Sequence, residues 1–111
     1  MTYNPDNIFA KILRKEIKTD FVYEDDYAVA FKDIHPKAPI HLLVLPKGSY
    51  MDYTDMLTNA SKEEILGFSN AIVAVARQNN LIDKGYRIVF NVGSGAGQEV
   101  PHLHAHILAG F

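Results

Sequence analysis

The feature that most constrains the fold of this chain is an alternation of histidine and apolar residues near its C-terminus, His102-Leu103-His104-Ala105-His106-Ile107. Side chains on a β-strand point alternately to the two faces of a sheet. The alternation therefore predicts a strand from His102 to Ala109, with three imidazoles on one face and Leu103, Ala105 and Ile107 directed into the core. With five His among 111 residues, chance would produce such a triplet in about 1% of chains, so the row is unlikely to be accidental.

Two other segments have the period of an amphipathic helix. Between residues 8 and 17, apolar residues recur at helical spacing after the capping sequence Asn4-Pro5-Asp6. Between residues 61 and 80, Ser61 and Glu64 have the spacing of a capping box, and a broad apolar face follows them. We expect a short helix and a long helix, both packed on the outside of a sheet.

Four segments before the histidine row are predicted to be β-strands. Phe21–Tyr23 and Tyr27–Phe31 are separated by three acidic residues and are expected to form a hairpin. Ile40–Leu45 is a nearly continuous apolar run, which predicts a buried central strand. Tyr86–Val92 completes the set. Together these elements predict a single α+β domain over residues 1–111, with a mostly antiparallel sheet and two outer helices.

Composition narrows the chemistry that the chain can carry. The absence of Cys excludes a thiol nucleophile, a redox cysteine pair and a cysteine-based zinc finger. Eleven Lys and Arg against thirteen Asp and Glu give a net charge of −2, so we expect no nucleic-acid partner. No segment has the roughly 20 apolar residues of a membrane span, and the N-terminus lacks the features of a signal peptide. We therefore expect a cytoplasmic protein with no membrane partner.

Three interpretations of the histidine row remain open from its spacing alone. The imidazoles can bind a metal ion, act as nucleophile and acid or base, or form a solvated face of the strand. Against a metal, Cα atoms of the outer pair, His102 and His106, would lie about 13 Å apart, which strains a tetrahedral ion with bonds of about 2 Å. For catalysis, imidazole has a pKa of about 6.5 and keeps a neutral, nucleophilic nitrogen at pH 7.

A glycine-rich segment, Gly93-Ser94-Gly95-Ala96-Gly97, precedes the histidine row. Such a segment lets a phosphate approach backbone N–H groups closely. It is not a P-loop, because neither the Gly-Lys-Ser/Thr sequence nor a helix follows it. Taken alone, the segment is equally consistent with a plain connection between strands. Beside three imidazoles it favours phosphoryl chemistry.

The histidine row belongs to a set of segments that recur together in one family. The row itself, His102–Leu108, is preceded by Gly97-Gln98 and Val100-Pro101. The other segments follow the same order along the chain: Ile8–Ile12, Asp33–Ile34, Pro36–His41, Leu43–Lys47 and Arg87–Gly93. In these segments the chain resembles the histidine triad (HIT) family, and within it the Hint branch of purine nucleoside phosphoramidases. The resemblance implies a HIT-like α+β fold, a homodimer and a cleft for a nucleoside monophosphate group.

The resemblance also implies an activity and its catalytic residues. The expected substrate is a purine nucleoside monophosphate or phosphoramidate, cleaved at the α-phosphate without a cofactor or a bound metal. By matching positions, His104 would be the nucleophile that forms a covalent nucleotidyl-histidine intermediate. His102 and His106 would be its partners in the triad, one of which can supply a proton to the leaving amine, and His41 would support them from the neighbouring strand.

The remaining site residues fall into two groups by the same resemblance. The base and ribose pocket would be formed by Phe9, Ile12, Phe31, Asp33 and Ile34, where Asp33 accepts from the ribose hydroxyls. The surroundings of the phosphate and the triad would be formed by Asn91, Gly97, Gln98, Glu99 and Val100. Glu99 stands where many eukaryotic members have Ser, so we expect it to alter the leaving-group preference. Two alternatives to this enzyme are a nucleotide-binding regulatory module with little turnover and a zinc-binding protein.

Overall fold

The apolar segments of the chain pair into one sheet in the computed structural model, which describes residues 2–111. In chain order the strands are β1 (Tyr23–Glu24), β2 (Ala28–Lys32), β3 (Ile40–Pro46), β4 (Arg87–Val89) and β5 (Ala105–Ala109). All neighbouring strands are antiparallel, and their order across the sheet is β1-β2-β3-β5-β4. Since β3 and β5 are neighbours, His41 lies on the strand next to the histidine row. The predicted α+β fold with an antiparallel sheet is confirmed.

Within residues 2–111 the sheet is accompanied by three α-helices, α1 (Ile8–Leu13), α2 (Tyr53–Asn59) and α3 (Lys62–Gln78), and by a 3-10 helix (Ser94–Ala96) in the glycine-rich segment. The long helix begins as its capping box predicts, because the Ser61 hydroxyl accepts from the Glu64 N–H at 3.1 Å. The first helix ends at Leu13 rather than near residue 17. The chain turns at Lys15, whose φ of 62° is incompatible with a continuing right-handed helix.

The short helix α2 was not predicted from the sequence. It begins after Asp52, whose carboxylate accepts from the Asp55 N–H at 2.8 Å and so caps the helix. Its seven residues bury only Met56. A single buried position gives no periodic apolar pattern from which a helix could be predicted.

The two faces of the sheet have different surroundings. One face packs against α3 and contributes alternate residues of the central strands, such as Leu42, Val44 and Ile107, to the main core. The other face carries a smaller apolar cluster of Phe9, Ile12, Val29, Phe31, Leu43 and Leu45. Leu43 is the antiparallel partner of His106. The imidazole of His106 therefore lies on the face of the smaller cluster, away from α3.

The predicted hairpin and edge strand are both present but shorter than expected. Tyr23 pairs with Ala30 in the hairpin, and the Asp25 carboxylate accepts from backbone N–H groups in its turn. The strand predicted over residues 86–92 covers only Arg87–Val89. No helix in residues 2–111 has the length and apolar character that crossing a membrane requires.

The prediction that the last strand begins at His102 is wrong, since β5 begins at Ala105. Continuing the register of β3 and β5 would place Leu103 opposite Pro46, which has no N–H to donate to a ladder. The Leu103 N–H donates instead to the Tyr50 carbonyl at 2.8 Å. The first two histidines of the row therefore precede the strand, and the row does not form one flat face.

Candidate active site

Four of the five histidines converge on the sheet face that carries the smaller apolar cluster. His41 is on β3, His106 is on β5, and His102 and His104 are in the segment just before β5. The ring centroids of His104 and His106 are 5.1 Å apart, and those of His41 and His106 are 5.2 Å apart. His35 is exposed in the loop between β2 and β3. The histidine pattern thus identified residues that the fold does bring together.

His102 is completely buried and uses both of its ring nitrogens within the protein. Nε2 lies 2.9 Å from the Pro46 carbonyl oxygen, which only accepts, so Nε2 carries the hydrogen. Nδ1 lies 2.6 Å from the Tyr3 hydroxyl and accepts from it. Burial lowers the pKa of His102 to about 4, so that it is neutral at pH 7. His102 therefore has neither a lone pair nor an N–H to offer a substrate.

His104 has one free ring nitrogen. Its Nδ1 lies 2.7 Å from the carbonyl oxygen of His102 and donates to it, so the lone pair of the neutral ring is on Nε2. The side chain is 9% exposed, and the Phe9 ring packs against it edge-on at 4.9 Å between centroids. Burial lowers the pKa of His104, against the raising effects of its bond to the His102 carbonyl and of the Asp33 charge. The result is a neutral imidazole with a defined nucleophilic nitrogen.

The hydrogen on His106 is fixed by a relay that begins at the backbone. The Lys37 N–H donates to His41 Nδ1 at 3.0 Å, so the hydrogen of His41 is on Nε2. That nitrogen lies 2.9 Å from His106 Nδ1 and donates to it, which leaves the hydrogen of His106 on Nε2. Burial, with the adjacent His104 and His41, lowers the pKa of His106 to about 4. His106 is thus a neutral hydrogen-bond donor.

Asp33 lies where β2 leads into the loop that precedes His41. Its Oδ1 accepts from the His35 N–H at 2.8 Å, and its Oδ2 is 3.4 Å from His41 Nε2. That second distance is beyond the usual range of a hydrogen bond, so Oδ2 retains lone pairs for another donor. Ile34, the next residue, is 86% exposed and lies outside the apolar cluster.

The other residues predicted for the base pocket are brought together. Phe9, Ile12 and Phe31 are all buried in the smaller cluster. The rings of Phe9 and Phe31 meet edge-on, with centroids 5.9 Å apart, and Phe21 stacks on Phe31 at 6.4 Å. This apolar wall adjoins His104 through the Phe9 ring.

Gln98 shapes the glycine-rich loop from inside the protein. Its side-chain oxygen accepts from the Gly93 N–H at 2.8 Å, and its side-chain NH₂ donates to the carbonyls of Met51 and Val100 at 2.7 and 3.0 Å. Gly97 has a φ of 84°, a left-handed conformation that a residue with a Cβ adopts at a cost. The amide of Gln98 is therefore committed to holding the loop, and it does not point a free group at a ligand.

The remaining predicted residues lie in three different surroundings. The Asn91 Nδ2 lies 3.4 Å from His106 Nε2, beyond the usual range of a hydrogen bond, and both atoms carry hydrogen, so the two groups are neighbours that do not bond. Val100 packs against the smaller apolar cluster. Glu99 is exposed and lines an open cavity of about 300 Å³ together with Met51, Asp52, Gly93, Ser94, Gln98 and Pro101. Asn91 is therefore placed beside the third histidine of the row.

Two contacts that decide the states of the histidines were not predicted. The Tyr3 hydroxyl reaches His102 from 99 positions away in sequence. The Lys37 N–H, which sets the hydrogen of His41, is a backbone group and has no side-chain signature. Neither contact leaves a recognisable pattern in the local sequence, so both are seen only in the folded structure.

Asp33, His41 and His106 also form a group that could be considered for a metal ion, since one potential ligand atom of each lies within 4.8 Å of the others. To bind through Nε2, a neutral His41 would need its hydrogen on Nδ1, where it would meet the Lys37 N–H. The 2.9 Å between His41 and His106 nitrogens is also shorter than the about 3.3 Å that tetrahedral zinc with bonds of about 2 Å imposes on its ligands. The donor arrangement does not suit a tetrahedral zinc ion.

Comparison with known proteins places this geometry in a family. The HIT domain model matches residues 14–111. The chain is 50% identical over 109 residues to an uncharacterized HIT-like protein of Azospirillum brasilense, covering 98% of this chain and 89% of that protein. It is 41% identical over 106 residues to the purine nucleoside phosphoramidase of Escherichia coli, covering 95% and 87%. It is also 41% identical over 108 residues to a 14 kDa zinc-binding protein of Zea mays, covering 93% and 80%.

Solved structures agree with the sequence relatives. A histidine triad protein from Clostridium difficile superimposes with a TM-score of 0.87 at 40% identity, covering 99% of this chain and 95% of that chain. A HIT family hydrolase from Clostridium thermocellum superimposes with a TM-score of 0.87 at 36% identity, covering 97% and 93%. The whole described fold, including the segment that carries the triad, therefore has close structural counterparts.

Proposed function

Since the chain belongs to the HIT domain family, we propose that it is a hydrolase that cleaves nucleoside 5'-phosphoramidates, or related linkages to an α-phosphate, through a covalent nucleotidyl-histidine intermediate. The observation that carries the proposal is the hydrogen bond from His104 Nδ1 to the His102 carbonyl, which leaves the Nε2 lone pair free. The relative in Escherichia coli is named a purine nucleoside phosphoramidase. A purine nucleotide is accordingly the proposed substrate.

The first chemical step is attack by His104 Nε2 on the α-phosphorus. The Nε2–P bond forms, the P–N bond to the leaving amine breaks, and the amine takes a proton from solvent. A phosphorus centre with anionic oxygens favours a neutral nucleophile, and the lowered pKa of His104 keeps the ring neutral at pH 7. The bond from Nδ1 to the His102 carbonyl stabilises the positive charge that the ring acquires.

The second step releases the nucleotide. Water attacks the phosphorus, the Nε2–P bond breaks, the water oxygen stays on the nucleotide and its proton passes to solvent. His104 returns to its neutral state with the hydrogen still on Nδ1. In both steps His106 Nε2–H, whose orientation His41 fixes, is the proposed donor to the phosphoryl oxygens.

The walls of the site support a nucleoside group. We propose that the base lies against Phe9, Ile12 and Phe31, with the exposed Ile34 closing over it. Asp33 Oδ2, which makes no close hydrogen bond among residues 2–111, is the proposed acceptor for ribose hydroxyls. We also propose that the exposed carboxylate of Glu99 faces the departing group and would repel an anionic one.

The proposal is tested by replacing the nucleophile. His104→Ala should lower the turnover of adenosine 5'-phosphoramidate by more than about 1000-fold, because no other free imidazole lone pair faces the cleft. AMP binding, measured by calorimetry, should be retained. His35→Ala, which removes an exposed histidine, is the matched control and should leave turnover unchanged.

A chemical trap complements the kinetic test. Wild-type protein mixed with substrate and quenched in alkali, where the P–N bond to imidazole survives, should carry a nucleotidyl group on a peptide that contains His104. Substantial turnover by His104→Ala, or an adduct on another residue, would refute the assignment of the nucleophile.

A regulatory module that binds nucleotide with little turnover is the second candidate, because the apolar cluster and the neutral triad would equally serve binding. It predicts AMP binding by the wild-type protein without hydrolysis of any member of a panel of adenosine and guanosine phosphoramidates. Substrate turnover that depends on His104 would exclude it.

Zinc binding is the third candidate, and the relative in Zea mays that is named a zinc-binding protein is its support. The hydrogen on His41 Nε2 argues against it. Elemental analysis of protein purified without a histidine tag tests for bound zinc. Activity measured before and after addition of a chelator tests whether a metal ion is required. Stoichiometric zinc, or activity lost to the chelator, would favour the metal.

A further inference from the structure

The N-terminal segment reaches the triad through one side chain. The Tyr3 hydroxyl lies 2.6 Å from His102 Nδ1, and the two rings meet edge-on with centroids 5.6 Å apart. Tyr3 is outside residues 14–111, which the family model matches. The contact therefore joins a residue outside the matched range to a histidine inside it.

The segment that carries Tyr3 is itself anchored. The Asn7 side-chain NH₂ donates to the Asn4 carbonyl at 2.7 Å, while the oxygen of the same amide caps α1 by accepting from the Ala10 N–H at 2.9 Å. The Arg14 side chain donates to the Pro5 carbonyl at 2.8 Å. These bonds join residues 4–7 to α1, so Tyr3 is presented to His102 by a structured arm.

The carbonyl that orients the nucleophile lies outside the sheet. His104 Nδ1 donates to the His102 carbonyl, but β5 begins only at Ala105. No ladder hydrogen bond of the sheet therefore fixes this carbonyl. The peptide unit that carries it is held at one end by the Leu103 N–H, which donates to the Tyr50 carbonyl at 2.8 Å, and at the other by the His102 ring, which lies between the Pro46 carbonyl and the Tyr3 hydroxyl.

We propose that Tyr3 is a positioning residue for His104, acting through the ring and carbonyl of His102. This inference rests on the proposed function, in which His104 is the nucleophile. His102 is 0% exposed, so water cannot replace the hydroxyl without rearrangement, and a buried imidazole nitrogen without a partner is unfavourable. Without the Tyr3 hydroxyl the His102 ring shifts, its carbonyl follows, and His104 Nε2 loses its alignment with the phosphorus.

The variant that isolates the hydroxyl is Tyr3→Phe, which keeps the ring and its edge-on packing. We expect kcat for adenosine 5'-phosphoramidate to fall about 10-fold with KM within about twofold of wild type, since alignment of the nucleophile affects the transition state more than binding. Tyr27→Phe is the matched control. Its hydroxyl makes no hydrogen bond within the part of the chain that the structure describes, and kcat should be unchanged.

A spectroscopic measurement follows the positioning without turnover. In protein with ¹⁵N-labelled histidine, the Nδ1–H of His104 should give a protected, slowly exchanging resonance at pH 7, and His102 should show its hydrogen on Nε2. Tyr3→Phe should broaden the His104 resonance by faster exchange, whereas Tyr27→Phe should leave it sharp. A wild-type His102 with its hydrogen on Nδ1 would overturn the proposal even if no variant could be purified.

The outcomes separate this inference from the proposed function. If wild-type protein turns over the phosphoramidate and Tyr3→Phe has the same kcat, Tyr3 is not a positioning residue, and a lower Tm of that variant would then mark a role in stability alone. If wild-type protein has no turnover, the proposed function fails. In that case the His104 resonance in Tyr3→Phe still decides the link: broadening supports it, and an unchanged signal refutes it.

Discussion

The chemistry of each histidine in the triad is decided by the group that faces each ring nitrogen. His102 meets a carbonyl and a hydroxyl and has nothing left to offer. His104 meets a single carbonyl and keeps a lone pair. His106 accepts from His41 and keeps a hydrogen. One residue type at alternate positions thus acquires three different states, because the neighbouring groups, which come from β3, from the row itself and from the N-terminal arm, differ at each position.

The buried state of His102 predicts that stability depends on pH. Its pKa is lowered from 6.5 to about 4 by burial. Between these values the unfolded chain binds a proton that the folded chain does not, so the free energy of unfolding falls as the pH is lowered. We expect a loss of about 2 kcal/mol from this group between pH 7 and pH 5, measured by urea unfolding. The half-buried His106 adds a smaller loss in the same direction.

Two variants identify the group responsible for this dependence. His102→Asn should flatten the slope of unfolding free energy against pH between 7 and 5, leaving the part that His104 and His106 contribute. His35→Asn, at an exposed position, should keep the wild-type slope. An unaltered slope in His102→Asn would contradict the assignment.

At the residue scale, the sequence predicts which side chains meet but not the state of each. The alternation of the row indicates His102, His104 and His106, and the resemblance to the HIT family adds His41 from the neighbouring strand. The partners that fix their hydrogens are the Pro46 carbonyl, the Lys37 N–H and the Tyr3 hydroxyl. Two of these are backbone groups and the third is remote in sequence, so no local pattern could reveal them.

Among the elements, α3 and the turn just before β2 are joined by a contact that requires a glycine inside the helix. A Cβ on Gly67 would lie 2.3 Å from the Cγ of Tyr27, at the base of the ring rather than at its flexible end. Glycine in a helix interior costs about 1 kcal/mol relative to alanine. The close packing of Tyr27 on the helix backbone explains why glycine occupies this position despite that cost.

This contact predicts that the effect of Gly67→Ala on the free energy of unfolding changes sign when Tyr27 is also replaced. Gly67→Ala should lower the free energy of unfolding by about 1 to 3 kcal/mol in the wild-type background, because the new methyl group collides with the ring. In a Tyr27→Ala background the same substitution should raise it by about 1 kcal/mol, because only helix propensity remains. Urea unfolding of the four proteins measures both values. Stabilisation by Gly67→Ala in both backgrounds would show that the ring yields without cost.

Elements with a strong local signal were predicted, and those defined by their partners were not. α3 has a capping box and a broad apolar face, and β3 is a continuous apolar run. α2 buries one side chain, and the start of β5 is set by Pro46 on the opposing strand. In both cases the local sequence pattern is weak, and contacts with residues distant in sequence decide the structure.

For the whole molecule, the sheet ends in an open edge at β4. In residues 2–111 this strand pairs only with β5, and Ile88 at its centre is 46% exposed. An exposed edge with apolar side chains favours pairing with a second strand. A second copy of the chain could pair its own β4 with this strand across a two-fold axis. The unpaired backbone groups of both edges would then form hydrogen bonds with each other. This arrangement is the proposed basis of a homodimer.

The homodimer proposal predicts a mass of about twice 12.4 kDa by light scattering at micromolar concentration. Ile88→Lys should shift the population towards the monomer, because a charge on the edge strand opposes pairing between sheets. Ile34→Lys alters an 86% exposed side chain on the far side of the sheet and should leave the mass unchanged. A wild-type mass near 12.4 kDa would refute the dimer.

If Tyr3 positions His104 as proposed, the hydrogen bond between Tyr3 and His102 makes turnover depend on the local stability of residues 2–7. A segment held by a few hydrogen bonds opens locally at a much smaller cost than the sheet on which it rests. Each time residues 2–7 open, the Tyr3 hydroxyl leaves His102 Nδ1 while the five strands stay paired. On warming, this segment would open before the sheet unfolds. The temperature at which turnover declines would therefore lie below the melting temperature of the sheet.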